Sequence, residues 1–469
     1  MWAVGAAAGK QLCPARCSCD DALGSASCAA AGLEIVPIQL NPEATHINLT
    51  HNYIDNLLYT FTFYTKVSVL DISYNKIQNL GNKNFDSNIE MTLLNVSHNM
   101  LKKLEKDTFV GLKRLLDMNL ADNEISSIHA QSFKDLSVLE RLDLSNNKLV
   151  DFESATFEPL ASLKILSLKN NAILNIPSGN LLFVQRLEYL DFSENLIQQV
   201  SKRGIPFLKE LKHLDLNSNI ISDIDSMGFH NLPSLRHLDL SDNNMTAIPT
   251  PALSKLSNLS HLYLSGNFIQ NVTVLSFQSL FHLRHLHLSR LYDLERIDAR
   301  AFVDNINLQK IWLNENLKIR EVPPRLFHGN PKLTHIFMRN NALETIDASH
   351  FPIDKLQELQ ISGNPFICNC SLLWLWKLGR DYGFMDKSSR GNDSTILKID
   401  YGEIRCAAPE HLQNALLTHV PETDIGCSNG WVIVAIVVLT AYSIFYSTLI
   451  ILYFNVINGF LRLDPCLSY

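Results

Sequence analysis

Apolar residues recur along this chain at the first, fourth and sixth places of a nine-residue phrase, L-x-x-L-x-L-x-x-N, with polar residues between them. The last position of the phrase falls at residues 52, 75, 99, 123, 147, 171, 195, 219, 243, 267, 291, 316, 341 and 364, a spacing of 23 to 25 residues. A period this regular means stacked copies of one short unit rather than several separate globular domains. Inward fourth and sixth residues flanked by outward third and fifth ones predict a short strand in each copy. Stacked about 4.8 Å apart, such strands form a parallel sheet along one side of the coil. No sustained helical period runs for the roughly twelve residues that an amphipathic helix needs, which excludes a helix bundle.

The polar residue that closes the phrase has its own physical reason. The turn after each strand leaves backbone groups buried without a strand partner, which is costly. Asparagine carries both a donor and an acceptor, so a column of asparagines can satisfy those groups and tie each coil to its neighbour. Thirteen of the fourteen closing residues are Asn, and Leu291 is the exception. Ten residues further on comes a phenylalanine, at 85, 109, 133, 157, 229 and 277, with Leu181, Ile205 and Leu253 as smaller substitutes. These side chains are expected to fill the side of the core opposite the sheet. "HLRHLHLSRLYDLERID" (282–298) breaks the frame: it lacks the asparagine and runs one residue long, as does "WLNENLKIREV" after it. A local change of curvature beside His287 and Trp312 is expected there, either because the surface is specialised or because this coil has drifted.

A different pattern follows the repeats. Trp431 to Phe454 is a run of 24 residues without a charge. As a helix it would be roughly 36 Å long, enough to cross a hydrocarbon core of about 30 Å. Nine cysteines cluster at Cys13, Cys17, Cys19 and Cys28, and again at Cys368, Cys370, Cys406 and Cys427, with Cys466 alone in the tail. Two sets of four around a cysteine-free body read as two disulfide frameworks in an oxidising compartment, zinc being the rival reading. Sequons stand at Asn48, Asn95, Asn244, Asn258, Asn271 and Asn392, and at Asn369, where the middle residue is Cys370. Disulfides and glycans place the repeats outside the cell and the tail in the cytoplasm, a single-pass type I arrangement in the plasma membrane. The export signal is weak, because "MWAVGAAAGK" has only a short apolar run and no basic start. With 469 residues and a net charge of −7, the chain lacks the concentrated basic face of a nucleic-acid binder.

The repeat frame resembles the leucine-rich repeat over residues from about 30 to 367. "CPARCSC" with Cys28, and "NPFICNCSLLWLWKL" with Cys406 and Cys427, resemble the cysteine caps of that family's extracellular members. The resemblance implies pairing of Cys13 with Cys19, Cys17 with Cys28, Cys368 with Cys406, and Cys370 with Cys427. The expected fold is an α/β leucine-rich-repeat solenoid, with a curved parallel sheet on its concave side and an irregular convex side. It carries disulfide caps and one transmembrane helix. Residues 1–12 read as an incomplete signal segment, 13–40 as the N-terminal cap, and 41–365 as about 14 repeats. The C-terminal cap is 366–428, the membrane helix 431–454 and a short cytoplasmic tail 455–469.

No catalytic motif, cofactor motif or metal-binding motif stands in the sequence, so the chain reads as a binding protein rather than an enzyme. Its binding surface should be the outward third and fifth positions of the sheet. The third position carries His213, His237, His261, His285 and His335, which suggests a metal site, a pH switch, or only a common form of this repeat. The fifth position changes from Asp191, Asp215 and Asp239 to Tyr263, His287, Trp312 and Phe337. Water-facing positions do not need three aromatic residues nearly in succession, and such residues anchor protein interfaces. Cross-strand packing is the alternative. Tyr263, His287, Trp312 and Phe337, with His285 and His335, are therefore the candidate ligand-binding residues. Asn48 and Asn95 also occupy the fifth position, where glycans would obstruct the N-terminal part of the face. Toll-like receptors and leucine-rich-repeat adhesion and guidance proteins are similar in layout. The expected role is adhesion or co-reception through an extracellular protein ligand or cell-surface partner, with a second copy of the chain as a further partner and no nucleic acid. The alternative reading is a Toll-like innate immune or signalling receptor whose cytoplasmic domain is missing or truncated here, since a fifteen-residue tail cannot hold one.

Overall fold

The computed structural model describes residues 13–380, 397–426 and 438–451. Fourteen three-residue strands, from His46–Asn48 to Glu358–Gln360, occupy the third to fifth places of every copy of the phrase. In each, the middle residue is buried and its neighbours keep some exposure, as in His213–Asp215 and His285–His287, except in Tyr189–Asp191, where Asp191 is buried as well. The strands pair in parallel and in register from coil to coil. Register holds through the irregular coil too, where His285 pairs with Lys310 and His287 with Trp312. Its extra residue is therefore absorbed outside the sheet.

The core is one continuous apolar column between this sheet and the opposite, irregular side. Phe85, Phe109, Phe133, Phe157, Phe229 and Phe277 are buried there as expected. Phe61, Phe302, Phe327 and Phe351 join them, and Phe277, Phe302 and Phe327 stack at 5.7 and 6.0 Å between centroids. Phe302 and Phe327 escape a ten-residue rule because the lengthened coils place them one position later.

The asparagine column works through both ends of each amide. Asn219 Nδ2 donates to the carbonyls of Phe192 (2.9 Å) and Leu216 (3.1 Å), while its Oδ1 accepts the Ile197 N–H (3.0 Å). Asn243 and Asn267 repeat this, accepting from Ile221 and Met245. At the next coil the acceptor is missing, because Leu291 offers only a fully buried apolar side chain. The Ile269 N–H thus loses the partner that its equivalents have. Beyond the gap the column resumes shifted: Asn316 Oδ1 accepts from Leu291 N (2.8 Å), and Asn341 Oδ1 from Asn316 N (2.7 Å). A surface clamp spans the same place. Arg290 reaches over one whole coil to grip Asp242 with its two terminal guanidinium nitrogens (3.1 and 3.2 Å). Gly266 lies between them at φ +70°, and a Cβ there would come within 2.0 Å of Asp242 Oδ1.

Both ends are capped. Disulfides join Cys13 to Cys19, Cys17 to Cys28 and Cys368 to Cys406. Cys370 is exposed and forms no disulfide among the described residues; Cys427, its expected partner, lies outside them. At the start, Ser18–Asp20 pairs antiparallel with Ser25–Ser27, which opens the parallel sheet against His46–Asn48. At the end, Lys398–Ile399 adds a last parallel strand on Glu358–Gln360. Asp400 then accepts the backbone N–H groups of Ile361 (3.0 Å) and Ser362 (2.9 Å) and pairs with Arg339 (3.1 Å). Arg339 also pairs with Glu403. These polar groups satisfy the last strand, while buried Leu372, Leu375, Trp376 and Ile404 of the cap continue the core over the final coil, so that no apolar face is left open.

Among the described residues no helix is long and apolar enough to cross a membrane. The expected span, Trp431 to Phe454, lies partly outside them. Its described part, 438–451, is helical with every residue exposed.

Candidate functional site

Strand pairing alone sets the candidate surface. Registers Asp191↔Asp215, Asp215↔Asp239, Asp239↔Tyr263, Tyr263↔His287, His287↔Trp312 and Trp312↔Phe337 make one unbroken column of fifth-position side chains. Its C-terminal half is a stack of rings. Tyr263 lies 4.3 Å from His287, His287 lies 3.8 Å from Trp312 at an interplanar angle of 9°, and Trp312 lies 5.2 Å from Phe337. All four remain half-buried, with an edge in solvent. The closest of these contacts joins the strand of the Leu291 coil to the strand of the next coil.

The third-position column runs alongside. His213 and His237 stack at 4.2 Å, His237 and His261 at 3.9 Å, and His261 meets His285 edge-on at 4.4 Å. His285 turns its edge to Trp312 at 5.8 Å, and His335 lies 6.2 Å from Phe337 and 3.9 Å from Glu358. All six candidate residues therefore meet in one patch. Burial, then repulsion among neighbouring imidazoles, pushes His237, His261 and His287 down to about 4. Burial also lowers His213, His285 and His335. His237, His261 and His287 are thus uncharged at neutral pH and stay largely so in mild acid. Among the described residues no group of three or more His, Cys, Asp or Glu is arranged to hold a metal ion.

The acidic half behaves oppositely. Burial, aided by repulsion from Asp239 and Asp191, pushes Asp215 up to about 6 against the pull of a hydrogen bond from Asn217. Asp239 is raised as well, chiefly by burial. None of Asp191, Asp215 and Asp239 has an ion-pair partner among the described residues, whereas Asp117 sits 3.4 Å from Arg141. Ser167, the small residue one coil before Asp191, leaves a hollow of about 340 Å³ bounded by Arg141, Asp143, Ile165, Tyr189 and Asp191. The unpaired carboxylates and this hollow were not singled out from the sequence; a run of three aspartates preceded by a serine was the available signal.

The sequons divide by exposure. Asn244, Asn258 and Asn271 are exposed, although Asn258 Nδ2 donates to Pro233 O at 2.8 Å. Asn48 and Asn95 lie half-buried on the concave strands, and Asn95 Nδ2 donates to Asp71 Oδ2 at 3.1 Å. Asn392 lies outside the described residues.

A parallel-sheet solenoid with capped ends and an aromatic concave face defines a recognition scaffold. The leucine-rich-repeat family profile matches residues 65–125, 117–173, 161–221, 209–269 and 306–366, and the chain belongs to this family. The interval between the last two matches contains Leu291. Among curated proteins, the high affinity nerve growth factor receptor of Rattus norvegicus is 35% identical over 83 residues, covering 18% of this chain and 10% of that protein. The human NT-3 growth factor receptor is 34% identical over 89 residues, covering 19% of this chain and 10% of its own length. The match thus spans only a tenth of either relative. In fold, the chain is similar to the Drosophila Toll–Spatzle complex, with a TM-score of 0.64, 19% identity, and coverage of 82% of this chain and 59% of that one. A leucine-rich-repeat protein of Leptospira interrogans aligns with a TM-score of 0.58, 23% identity, and coverage of 72% and 90%.

Proposed function

We propose that the chain is a cell-surface recognition protein whose concave sheet binds an extracellular protein or a partner on another cell, in adhesion or as a co-receptor. The observation that carries this reading is the continuous, half-exposed ring stack of Tyr263, His287, Trp312 and Phe337. A sheet that needed only stability could bury those rings; here each keeps an edge in water, where aromatic side chains act as interface anchors. A single membrane span at Trp431–Phe454 with the repeats outside is part of the proposal. Residues 438–451 support it: Val438, Leu439, Phe445 and Ile451 are more than half exposed. The hydroxyls of Ser443, Ser447 and Thr448 fold back onto carbonyls of their own helix, the arrangement that lipid requires. The cap disulfides fit an oxidising, extracellular setting, and the sequons are proposed to carry glycans there.

The test is on cells. Trp312→Ala and Phe337→Ala should each weaken partner binding roughly thirtyfold, the effect of losing about 2 kcal/mol at an interface centre. Surface expression and glycosidase sensitivity should stay unchanged. Unaltered affinity for a verified partner would place recognition elsewhere, and loss of expression would make the rings packing. A signalling receptor is the second reading. It is favoured by the names of the curated relatives, which are receptors, and it predicts a change in cytoplasmic phosphorylation when the concave face is engaged.

A further inference from the structure

The ring stack does not end at Tyr263. It passes by direct strand pairing into Asp239, Asp215 and Asp191, and then to the hollow between Asp191 and Asp143. The cations nearby on the sheet and its edge are already engaged. Lys169 holds Glu194 at 3.0 Å, Lys164 holds Glu140 at 2.7 Å, Lys212 holds Glu188 at 2.5 Å, and Arg141 faces Asp117 at 3.4 Å. The three aspartates each accept a backbone N–H two residues on, from Ser193, Asn217 and Ser241, but none forms an ion pair within the described residues; Lys169, paired with Glu194, is near enough to feel Asp191 and Asp215 without bonding to either. Elsewhere the same column carries isolated aspartates at Asp71 and Asp143 and neutral residues at Asn48, Asn95, Asn119 and Ser167. Three consecutive carboxylates, Asp191 buried and Asp215 and Asp239 half-buried, therefore repel one another on a scaffold that tolerates neutral residues in their place.

We infer that the occupant of the concave face is an extended protein segment with paired basic side chains at one end and apolar side chains at the other. The basic end lies on Asp191, Asp215 and Asp239, and the apolar end lies on Tyr263, His287, Trp312 and Phe337. This rests on the concave-face reading above and adds the chemistry of the partner. The dimensions agree. Six strand spacings of about 4.8 Å separate Asp191 from Phe337, roughly 29 Å, which about nine residues of extended chain would span. Same-side residues of such a chain are about 6.6 Å apart, so Arg-x-Arg fits within the roughly 10 Å from Asp191 to Asp239. Guanidinium groups suit this place because their planar donors meet carboxylates in pairs and stack on rings such as Tyr189.

The experiment uses the full-length chain in detergent micelles and labelled synthetic peptides of about nine residues. One carries Arg-Ser-Arg followed by Leu-Ser-Leu, the second has the two ends exchanged, and the third has Glu in place of both Arg. Fluorescence anisotropy is read at low and high salt. An arginine peptide, in one of its two orders, should bind at least roughly tenfold more tightly than the glutamate peptide and lose that advantage in salt. The triple variant Asp191→Asn, Asp215→Asn, Asp239→Asn should abolish the preference. Asparagine already occupies this column, so the fold should be retained, and unchanged thermal melting checks it. Trp312→Ala should weaken the arginine peptide in parent and triple variant alike. Equal binding of arginine and glutamate peptides, or a preference that survives the triple variant, overturns the basic partner while leaving the concave-face reading intact. Indifference to Trp312→Ala overturns that underlying reading. Absence of binding by either arginine peptide overturns the inference.

Discussion

Removing one member of the asparagine column should cost the solenoid a definite and countable set of bonds. In Asn219→Ala, the carbonyls that Asn219 Nδ2 serves keep other donors. Phe192 O retains Asn195 Nδ2 (3.0 Å), Leu216 O retains Asn243 Nδ2 (2.9 Å), and Asn217 O retains the Glu194 N–H (2.9 Å). Only the Ile197 N–H is left without a partner, in a residue with no exposed surface. An orphaned buried donor costs about 1–3 kcal/mol, and the shared bonds to the carbonyls add about 1 kcal/mol more, so a loss of roughly 2–4 kcal/mol is expected. Because each repeat contacts only its neighbours, the loss should be local to the coils on either side. Amide hydrogen exchange reads it directly: protection should fall around Ile197 and Ile221 and stay unchanged near Phe85. The unmodified chain supplies its own control, since Ile269 lacks the acceptor that Ile197 and Ile221 have and should exchange faster than either. A variant with unaltered denaturation midpoint and unaltered exchange would refute the role assigned to the column.

Acid should destabilise the chain through the imidazole column. His237, His261 and His287 have folded-state values near 4, below the ordinary 6.5, so their contribution is present above about pH 6.5 and is lost as pH falls towards 4. Fully buried, each ring would forfeit about 3 kcal/mol over that window, and solvent screening of half-exposed rings reduces this to about 1 kcal/mol each. Asp215, raised to about 6, and Asp239, raised as well, work the other way, gaining stability as pH falls, but these two carboxyls should offset the three imidazoles only in part. His237→Gln with His261→Gln should flatten the dependence of melting temperature on pH, and an unchanged profile would count against it. At the C-terminal end, Asp400→Ala removes the acceptor of two backbone N–H groups and a partner of Arg339, and should cost about 2–4 kcal/mol, seen as early exchange of the Glu358–Gln360 strand. Replacing Cys368 and Cys406 by Ser should cost about 2–5 kcal/mol and reduce export; full secretion at normal stability would contradict the cap's importance.

The repeat was legible because its physics is strictly periodic. Inward leucines, the asparagine column and most of the phenylalanines each repeat at fixed offsets, and the strands fall where the offsets put them. What was not legible is what depends on contacts between coils. Phe302 and Phe327 were missed because two lengthened coils displace them from the offset. The Arg290–Asp242 clamp joins residues 48 apart, and no local pattern announces it. Asp400 lies beyond the repeats, and only the folded cap brings it to the N–H groups of the last coil. At the surface, the aromatic column could be read from the sequence, because strand register follows directly from the period. That the aspartates before it form no ion pair among the described residues could not, since it depends on which lysines their neighbours have already claimed.

The central claim is that recognition occurs on the concave sheet, and position-specific photo-crosslinking on living cells tests it most directly. A photoreactive amino acid is placed singly at Ile165 or Gln360 on the concave face, or at the exposed Val274 or Val303 outside the concave strands, Val303 beside the phenylalanine column. The account predicts a partner adduct from Ile165 and Gln360, suppressed by Trp312→Ala, and none from Val274 or Val303. Adducts arising from Val274 or Val303 while Ile165 and Gln360 stay silent would contradict it.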